Sequence, residues 1–292
     1  MASLRQIRRR MKSVQSINSI TKAMQMISTF RFKRAENRFS KARAYFSELV
    51  GILSNLSASA KDLEHPLFEK RQVKKKTLIV MTGDKGLCGA YNTNLLKGAF
   101  AWRRQHAAFE TSFVPVGKVG CESLRKKGHK LALFYPEKAA ADLSLAKKMA
   151  KELKDLYCSK KTDEISLLYT RFKMGGAGVS VVEPFLPLGH LIENKKDSCL
   201  PAGRQGAVEY IHEPDFEKVF FDLLQRYLDG KMYLSLLESL TSETGARMMA
   251  MKQASDNGEE VLHDLKLLKN KTRQAVITRE LSEIVGGASI LV

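Results

Sequence analysis

The chain has 292 residues, 44% of them hydrophobic, and a formal net charge of +18. That length and apolar content exclude an intrinsically disordered chain and suffice for one large domain or two modest ones. The charge demands an acidic counterpart, and nucleic acid, an anionic membrane surface and acidic protein loops all meet that demand.

Residues 1–50 hold twelve Lys/Arg against two Glu, so more than half of the excess charge lies at the N-terminal end. A histone-like or ribosomal protein has this bias, and so does a helix held inside an acidic partner. The opening MASLRQIRRRMKSV lacks the apolar core of a signal peptide. It is Arg-rich and acid-poor, as transit peptides are, but its apolar period continues without a break, so it reads as mature helix. From Ser3 to about Ser57 there is no proline, and Gly51 is the only glycine. Apolar residues recur at three and four: Ile7, Met11, Val14, Ile17, then Phe32, Ala35, Phe39, Ala42, Phe46, Leu49, Leu53 and Leu56. This stripe predicts a helix of roughly 80 Å, a length typical of a coiled coil or a shaft. His65-Pro66 and Lys74–Lys76 mark its end.

The middle has a different rhythm. Thr77–Thr82, Thr111–Val116, Leu131–Tyr135, Glu164–Phe172 and Val179–Phe185 read as strands, and Asn92–His106, Val119–Lys127 and Asp142–Tyr157 as helices. Strands alternating with helices predict an open α/β sheet. Glu193–Gly206 is a polar loop. Helix returns from Glu213 or Pro214 to about Val285, with a seam of Phe216, Phe220, Leu223, Tyr227, Leu234, Leu237, Met248, Met251, Leu262 and Leu265. Gly230, Gly245 and Gly258 interrupt it, and at roughly 105 Å it is the longer of the two helices. A helix with one apolar stripe cannot bury it alone, so the two ends are expected to pair as an antiparallel coiled coil. The tip of the longer helix then projects past its partner.

Several features invite sharper chemistry. The cysteines Cys88, Cys121, Cys158 and Cys199 are far apart in sequence and give no CxxC or zinc spacing. The turn Gly83–Gly89 has GxxGxxG spacing, which is neither the GxGxxG dinucleotide fingerprint nor the GxxxxGK[ST] phosphate loop. Its glycines serve positive φ and close packing. Met248, Met249 and Met251 read as fillers of an irregular core. The six histidines are scattered, and no Ser-His-Asp or paired-carboxylate arrangement stands out. No catalytic, cofactor or metal site is expected.

Four segments carry a resemblance. Ser13–Met24 (SVQSINSITKAM) is similar to SVxNxxKITKAM, and Gly83–Asn92 (GDKGLCGAYN) to SDRGLCGGxN. Glu243–Gly258 (ETGARMMAMKQASDNG) is similar to ARMxAMxxAxxNA, and Arg273–Ala288 (RQAVITRELSEIVGGA) to RQAxITxELxEIVxGA. These are motifs of the gamma subunits of bacterial-type F-type ATP synthases, in the right order and over nearly the whole chain. Two departures stand out. The loop around Cys199 is unlike the family and is read as a lineage insertion, and the chain ends in a greasier GGASILV.

The resemblance implies a long antiparallel coiled coil of the terminal helices with an inserted Rossmann-like α/β domain. The expected divisions are 1–58 and 210–292 for the helices, 77–190 for the α/β domain and 191–209 for a variable loop. It implies a central rotor stalk without catalytic site or cofactor. That stalk couples proton flow through a membrane c-ring to conformational change at catalytic beta subunits. The implied partners are the alpha and beta subunits of the hexamer, the epsilon subunit and the c-ring, on the cytoplasmic face of the inner membrane as a peripheral assembly. Arg273, Gln274, Thr278, Glu280 and Arg247 match a polar cluster that catches a beta-subunit loop. Lys22 and Met24 are expected close to that cluster. Tyr210 and Glu213 match a segment touching the c-ring and epsilon, and Cys88 a cysteine near the base of the catalytic head. The alternative is a basic coiled-coil protein that binds nucleic acid. It is disfavoured because the aromatic residues Phe30, Phe32 and Phe39 fall on or near the helix seam, so nucleic acid is not an expected partner.

Overall fold

The computed structural model describes residues 3–57, 65–69, 71–137, 142–173, 178–189 and 215–288. In chain order the elements are α1 (Leu4–Ser57), β1 (Lys75–Met81), α2 (Tyr91–Gln105), β2 (Glu110–Val116) and α3 (Lys118–Lys126). They continue with α4 (Leu143–Cys158), β3 (Glu164–Arg171), β4 (Val179–Leu186) and α5 (Phe216–Ala288). The chain divides into two compact units, residues 31–246 and residues 1–30 with 247–292. Both long helices contribute to both units.

In the first unit the sheet runs β2-β1-β3-β4. β1 is parallel to β2 and β3, while β4 joins β3 antiparallel at the edge. The period-2 alternation of strands splits β1 between two cores. Leu78 and Val80 pack with Leu95, Ala99 and Trp102 of α2 and Leu124 of α3. Ile79 and Met81 face a larger core built from α4, the Phe39–Leu56 stretch of α1 and the Phe220–Leu237 stretch of α5. Both faces of the central strands are covered, which is why they read as continuous apolar runs.

The expected strand at Leu131–Tyr135 is a correction. Only two isolated bridges form there, Phe113 with Leu131 and Val116 with Tyr135. Pro115 lies between them on β2 and has no N–H to donate, so its carbonyl accepts from Tyr135 (3.0 Å) but a full ladder cannot close.

α1 and α5 run antiparallel here, because contact partners fall in number on one as they rise on the other. Phe32 faces Gly245, the Arg38 guanidinium donates to the Tyr233 hydroxyl at 3.3 Å, and Phe46 stacks on Tyr227 at 5.3 Å. The glycines that seem to interrupt α5 are gaps for α1 side chains. A Cβ on Gly230 would lie 3.0 Å from the Phe46 ring, and one on Gly245 3.3 Å from Phe32. Each glycine costs the helix about 1 kcal/mol relative to alanine, offset by the ring it admits.

In the second unit α1 starts with a capping box: the Ser3 N–H donates to Gln6 Oε1 (3.1 Å) and the Gln6 N–H to Ser3 Oγ (3.3 Å). Ile7 is buried, as are Met251, Ser255 and Leu265 of α5. Ile17 is not a seam residue as its spacing suggested. It is 56% exposed, because a 3.5-residue repeat from Ile7 through Met11 and Val14 lands on Asn18.

The glycine contrast makes a prediction. Gly51 has nothing within 4 Å of a built Cβ, so Gly51→Ala should stabilise the chain by roughly 0.5–1 kcal/mol. Gly230→Val should destabilise it by about 1–3 kcal/mol through overpacking on Phe46. Thermal unfolding of the full chain, comparing both variants with the parent, checks the opposite signs.

Candidate functional site

The stretch Ser235–Thr244 of α5 is buried almost all round, yet most of its residues are polar. Each polar group whose bonds can be traced has a partner, as burial requires. Ser235 and Thr241 donate back to the carbonyls of Lys231 and Leu237 within the helix. Thr244 does the same to the Leu240 carbonyl, while Ser239, Ser242 and Glu238 reach toward the sheet. Ser239 Oγ donates to the Met81 carbonyl at the end of β1 (3.2 Å), and the Tyr91 hydroxyl lies 2.7 Å from the same Oγ. Ser242 Oγ donates to the Thr170 carbonyl of β3 (2.9 Å), and Glu238 accepts from the Phe172 N–H (3.0 Å). Lys231 Nζ donates to the Pro184 carbonyl of β4 (2.7 Å). One helix is thus bolted to the ends of β1 and β3 and to β4. Burial pushes the Glu238 carboxyl above the usual carboxylate range, against the Phe172 N–H, which lowers it. Burial also raises the Tyr91 phenol, with Glu243 adding to the shift.

This clamp occupies the crevice at the carboxyl end of β1, the place where open α/β sheets bind nucleotides. A Cβ on Gly83 would sit 2.7 Å from a Glu243 carboxylate oxygen. Gly83 is therefore a glycine of close approach, and what approaches is an acid, which repels phosphate. The rest of the turn differs from expectation. Gly89 has positive φ (58°), Gly86 does not, and the other left-handed residue is Leu87 (φ 60°), whose side chain is 60% exposed. Such a conformation costs a bulky residue roughly 1–2 kcal/mol. Cys88 is buried, with its sulfur accepting from Asn92 Nδ2 at 3.2 Å. The outer surface of the turn is made by Lys85, Gly86 and Leu87 rather than by the thiol.

In the second unit the helix pair is patterned inside out. Asn18, Thr21, Gln25 and Ser28 occupy the inward-facing repeat of α1, and Ser255 and Gly258 face it from α5. Asn18 Oδ1 accepts from Ser255 Oγ at 2.8 Å, and a Cβ on Gly258 would lie 3.3 Å from Asn18. The outward face carries Ile17, Ile20, Met26, Ile27, Phe30 and Met249, each more than half exposed. Further along α5 the apolar side chains Val276, Ile277, Leu281, Ile284 and Val285 are all exposed. Among the described residues, no group of three His, Cys, Asp or Glu is placed to hold a metal. Among the same residues, no helix is long and apolar enough to cross a membrane.

A family model described as ATP synthase matches residues 3–291. The ATP synthase gamma chain of Nitrosospira multiformis is 38% identical over 99% of this chain and 99% of its own length. That of Cytophaga hutchinsonii is 38% identical over 100% and 99%. The chain belongs to the ATP synthase gamma chain family. Solved structures show the same fold. A chain of the Euglena gracilis mitochondrial ATP synthase superposes with TM-score 0.67 at 17% identity, covering 99% of this chain and 94% of that one. A chain of the Tetrahymena thermophila mitochondrial ATP synthase central stalk and c-ring gives 0.61 at 22%, over 81% and 99%.

The residues singled out from the gamma chain motifs fall into separate places. Arg273, Gln274, Thr278 and Glu280 are exposed on α5, while Arg247 is half-buried. Lys22 and Met24 do not join the Arg273 group. Lys22 pairs with Glu259 at 3.6 Å, and Arg273 lies roughly 21 Å further along the helix. The antiparallel register, invisible in either motif alone, sets that separation. Tyr210, Glu213 and Cys199 lie outside the described residues. Spacing from Ile7 would have found Asn18, but no local signal points to the Ser235–Thr244 clamp, because its polar residues look like an exposed helix face.

Two predictions come from these contacts. Glu238 has a folded pKa above its unfolded value, so the unfolded chain releases this proton first as pH rises. The stability it contributes is full below the ordinary carboxylate range and is lost as pH climbs through the raised pKa. Glu238→Gln keeps an acceptor for Phe172 and removes that loss. Relative to the parent, the variant should gain stability as pH rises above the ordinary carboxylate range, read as the shift in urea midpoint. For the seam, Asn18→Ala and Ser255→Ala should each cost about 1 kcal/mol, and the double variant no more than either alone. A double-mutant cycle by chemical denaturation reads the coupling, and full additivity would remove the bond as a determinant.

Proposed function

We propose that this chain is the central rotor stalk of its ATP synthase. It couples ion flow through a c-ring to conformational change at the catalytic beta subunits and carries no catalytic site itself. The observation that carries this reading is the end of α5, where described side chains from Arg273 onward are exposed and many are apolar. A helix that leaves such a stripe uncovered in its own fold needs an apolar sleeve supplied by others. The motif-matched Arg273, Gln274, Thr278 and Glu280 lie on that same segment and would catch a beta-subunit loop, with Arg247, Lys22 and Met24 contributing further along the pair. The sheet unit, bolted to α5 by the Ser235–Thr244 clamp, would form the foot toward epsilon and the c-ring through Tyr210 and Glu213. The assembly would then lie peripherally on the cytoplasmic face of the membrane. Differential contacts with three beta subunits are what would shift each between conformations. Of the aromatic residues expected on or near the seam, Phe30 is instead 77% exposed, but Phe32 and Phe39 pack on Phe172 at 5.7 and 6.3 Å, so the nucleic-acid reading has little support.

The test is a reversible lock at the turn motif-matched to the base of the head. Cys88 is too buried to serve, so the cysteine is placed at the exposed neighbour as Leu87→Cys. Linking it by a disulfide to a cysteine in the facing beta-subunit loop should abolish both ATP hydrolysis and synthesis, and reduction should restore both. A fully linked enzyme that makes ATP at its normal rate would show that the chain is a fixed strut.

A further inference from the structure

The sheet unit carries a second charged surface that the clamp and the helix pair leave unused. An open groove of about 1180 Å³ runs along α2, lined by Lys97, Phe100, Arg103, Arg104, Lys127 and His129 among others, with no carboxylate in its wall. Lys97 and Arg104 are exposed, and neither has an ion-pairing partner among the described residues. Arg103 donates to His129 Nδ1 at 2.7 Å, so the ring is held as an acceptor. Burial, Arg103 and Lys127 together keep the His129 pKa below its ordinary value. Of the acids beside the groove, Glu110 is engaged by Lys130 and Glu164 by Lys76. Cations are gathered here with no carboxylate in the groove wall, whereas Arg171 at the end of β3 pairs with Glu183.

We infer that this groove docks an acidic, partly apolar segment of a protein partner. Its geometry favours a polymer over a small anion. Lys97 and Arg104 are seven residues apart on α2, so their stems are separated by roughly 10 Å along the helix, and Phe100 stands between them. One phosphate cannot engage both, whereas a peptide with carboxylates about two helical turns apart and an apolar residue between them can. The aromatic rings separate a peptide from a nucleic acid. Lys127 Nζ lies over the Phe100 ring at 3.8 Å, and Lys76 Nζ over Phe109 at 4.7 Å. Ammonium groups already hold positions over these rings that a base would need for stacking. The ring edges and the aliphatic stems of Lys97 and Arg104 remain for apolar side chains. Electrostatic docking of this kind selects a partner and speeds its arrival.

The full chain is titrated against a short fluorescein-labelled peptide of glutamate and leucine at helical spacing, with anisotropy as the readout. Saturable binding is expected, weakened at least about tenfold by Lys97→Glu with Arg104→Glu, since each lost cation removes a charge-assisted contact. The control pair Lys147→Glu with Lys151→Glu makes the same charge change on exposed positions of α4 and should weaken binding less than about threefold. If circular dichroism shows that the reversal variant does not fold, Lys97→Gln with Arg104→Gln carries the test, with a smaller loss in the same direction. Equal weakening by the groove and control pairs would reduce the effect to net charge and overturn the site. So would an isotherm that does not saturate. An oligothymidylate that binds more tightly than the peptide at matched salt would assign the groove to nucleic acid instead.

Discussion

The sheet unit depends on one constraint: α5 must pass through its middle, covered on nearly all sides, without leaving a polar group unpaired. An all-apolar helix would satisfy that burial but would have no fixed depth or rotation, because dispersion contacts are forgiving of small slides. The stretch Ser235–Thr244 takes the other solution. Ser239 meets the end of β1, Ser242 and Glu238 meet the β3 side, and Lys231 meets β4. These bonds are directional, and a slide of one residue would break several of them and strand buried donors and acceptors, each at about 1–3 kcal/mol. The same constraint explains Gly83, which makes room for Glu243. It also explains why the crevice of an otherwise nucleotide-style sheet is filled by the protein itself.

The second unit solves the opposite problem. Its helix pair places Asn18, Thr21, Gln25 and Ser28 inward and leaves isoleucines, methionines and Phe30 outward. Leucine at those inward positions would add roughly 1.5–3 kcal/mol each on full burial, so the pattern sacrifices adhesion. It retains specificity, because a polar pair such as Asn18 with Ser255 fixes which residues meet at some expense of stability. The exposed ion pair of Lys22 with Glu259 adds little, since pairs at that exposure contribute about 0–1 kcal/mol.

How much of this was legible in the sequence depended on whether a signal was local. The boundaries of α1 and α5 lay within a few residues of those expected, because absence of proline and a sustained apolar period are local properties. The β1, β2 and β3 runs were equally plain, being apolar on both faces. Leu131–Tyr135 failed because its pairing depended on Pro115 of another strand. Ile17 failed because periods of 3.6 and 3.5 diverge slowly, and from Ile7 both Ile17 and Asn18 fit a tolerant reading. The distance between Lys22 and Arg273 depended on the register of two segments far apart in the chain. The α2 groove was hidden for the same reason: Lys97 and Arg104 share a helix, but Lys127 and His129 reach it only through the packing of α3 against β2.

The charge of the chain can now be placed. Of the basic residues at the start of α1, Arg5, Arg8, Arg9, Arg10 and Lys12 are all exposed, although α5 carries acids such as Glu259 and Glu260. The helix pair therefore does not neutralise itself, and its repulsion is left for an acidic environment to relieve. Surface charge of this kind contributes little to the fold, and at physiological salt its reach is about 8 Å. Its larger effect is on encounter, where complementary fields raise association rates and reject wrongly charged partners. The outward apolar side chains further along α1 contribute in the other way, by the area they remove from water once a partner closes over them. A helix that exposes both cations and isoleucines is therefore guided by charge and held by burial. The polar interior beneath it is what keeps those isoleucines outside: with Asn18 and Ser28 committed to the seam, the apolar residues between them have nowhere to go but outward.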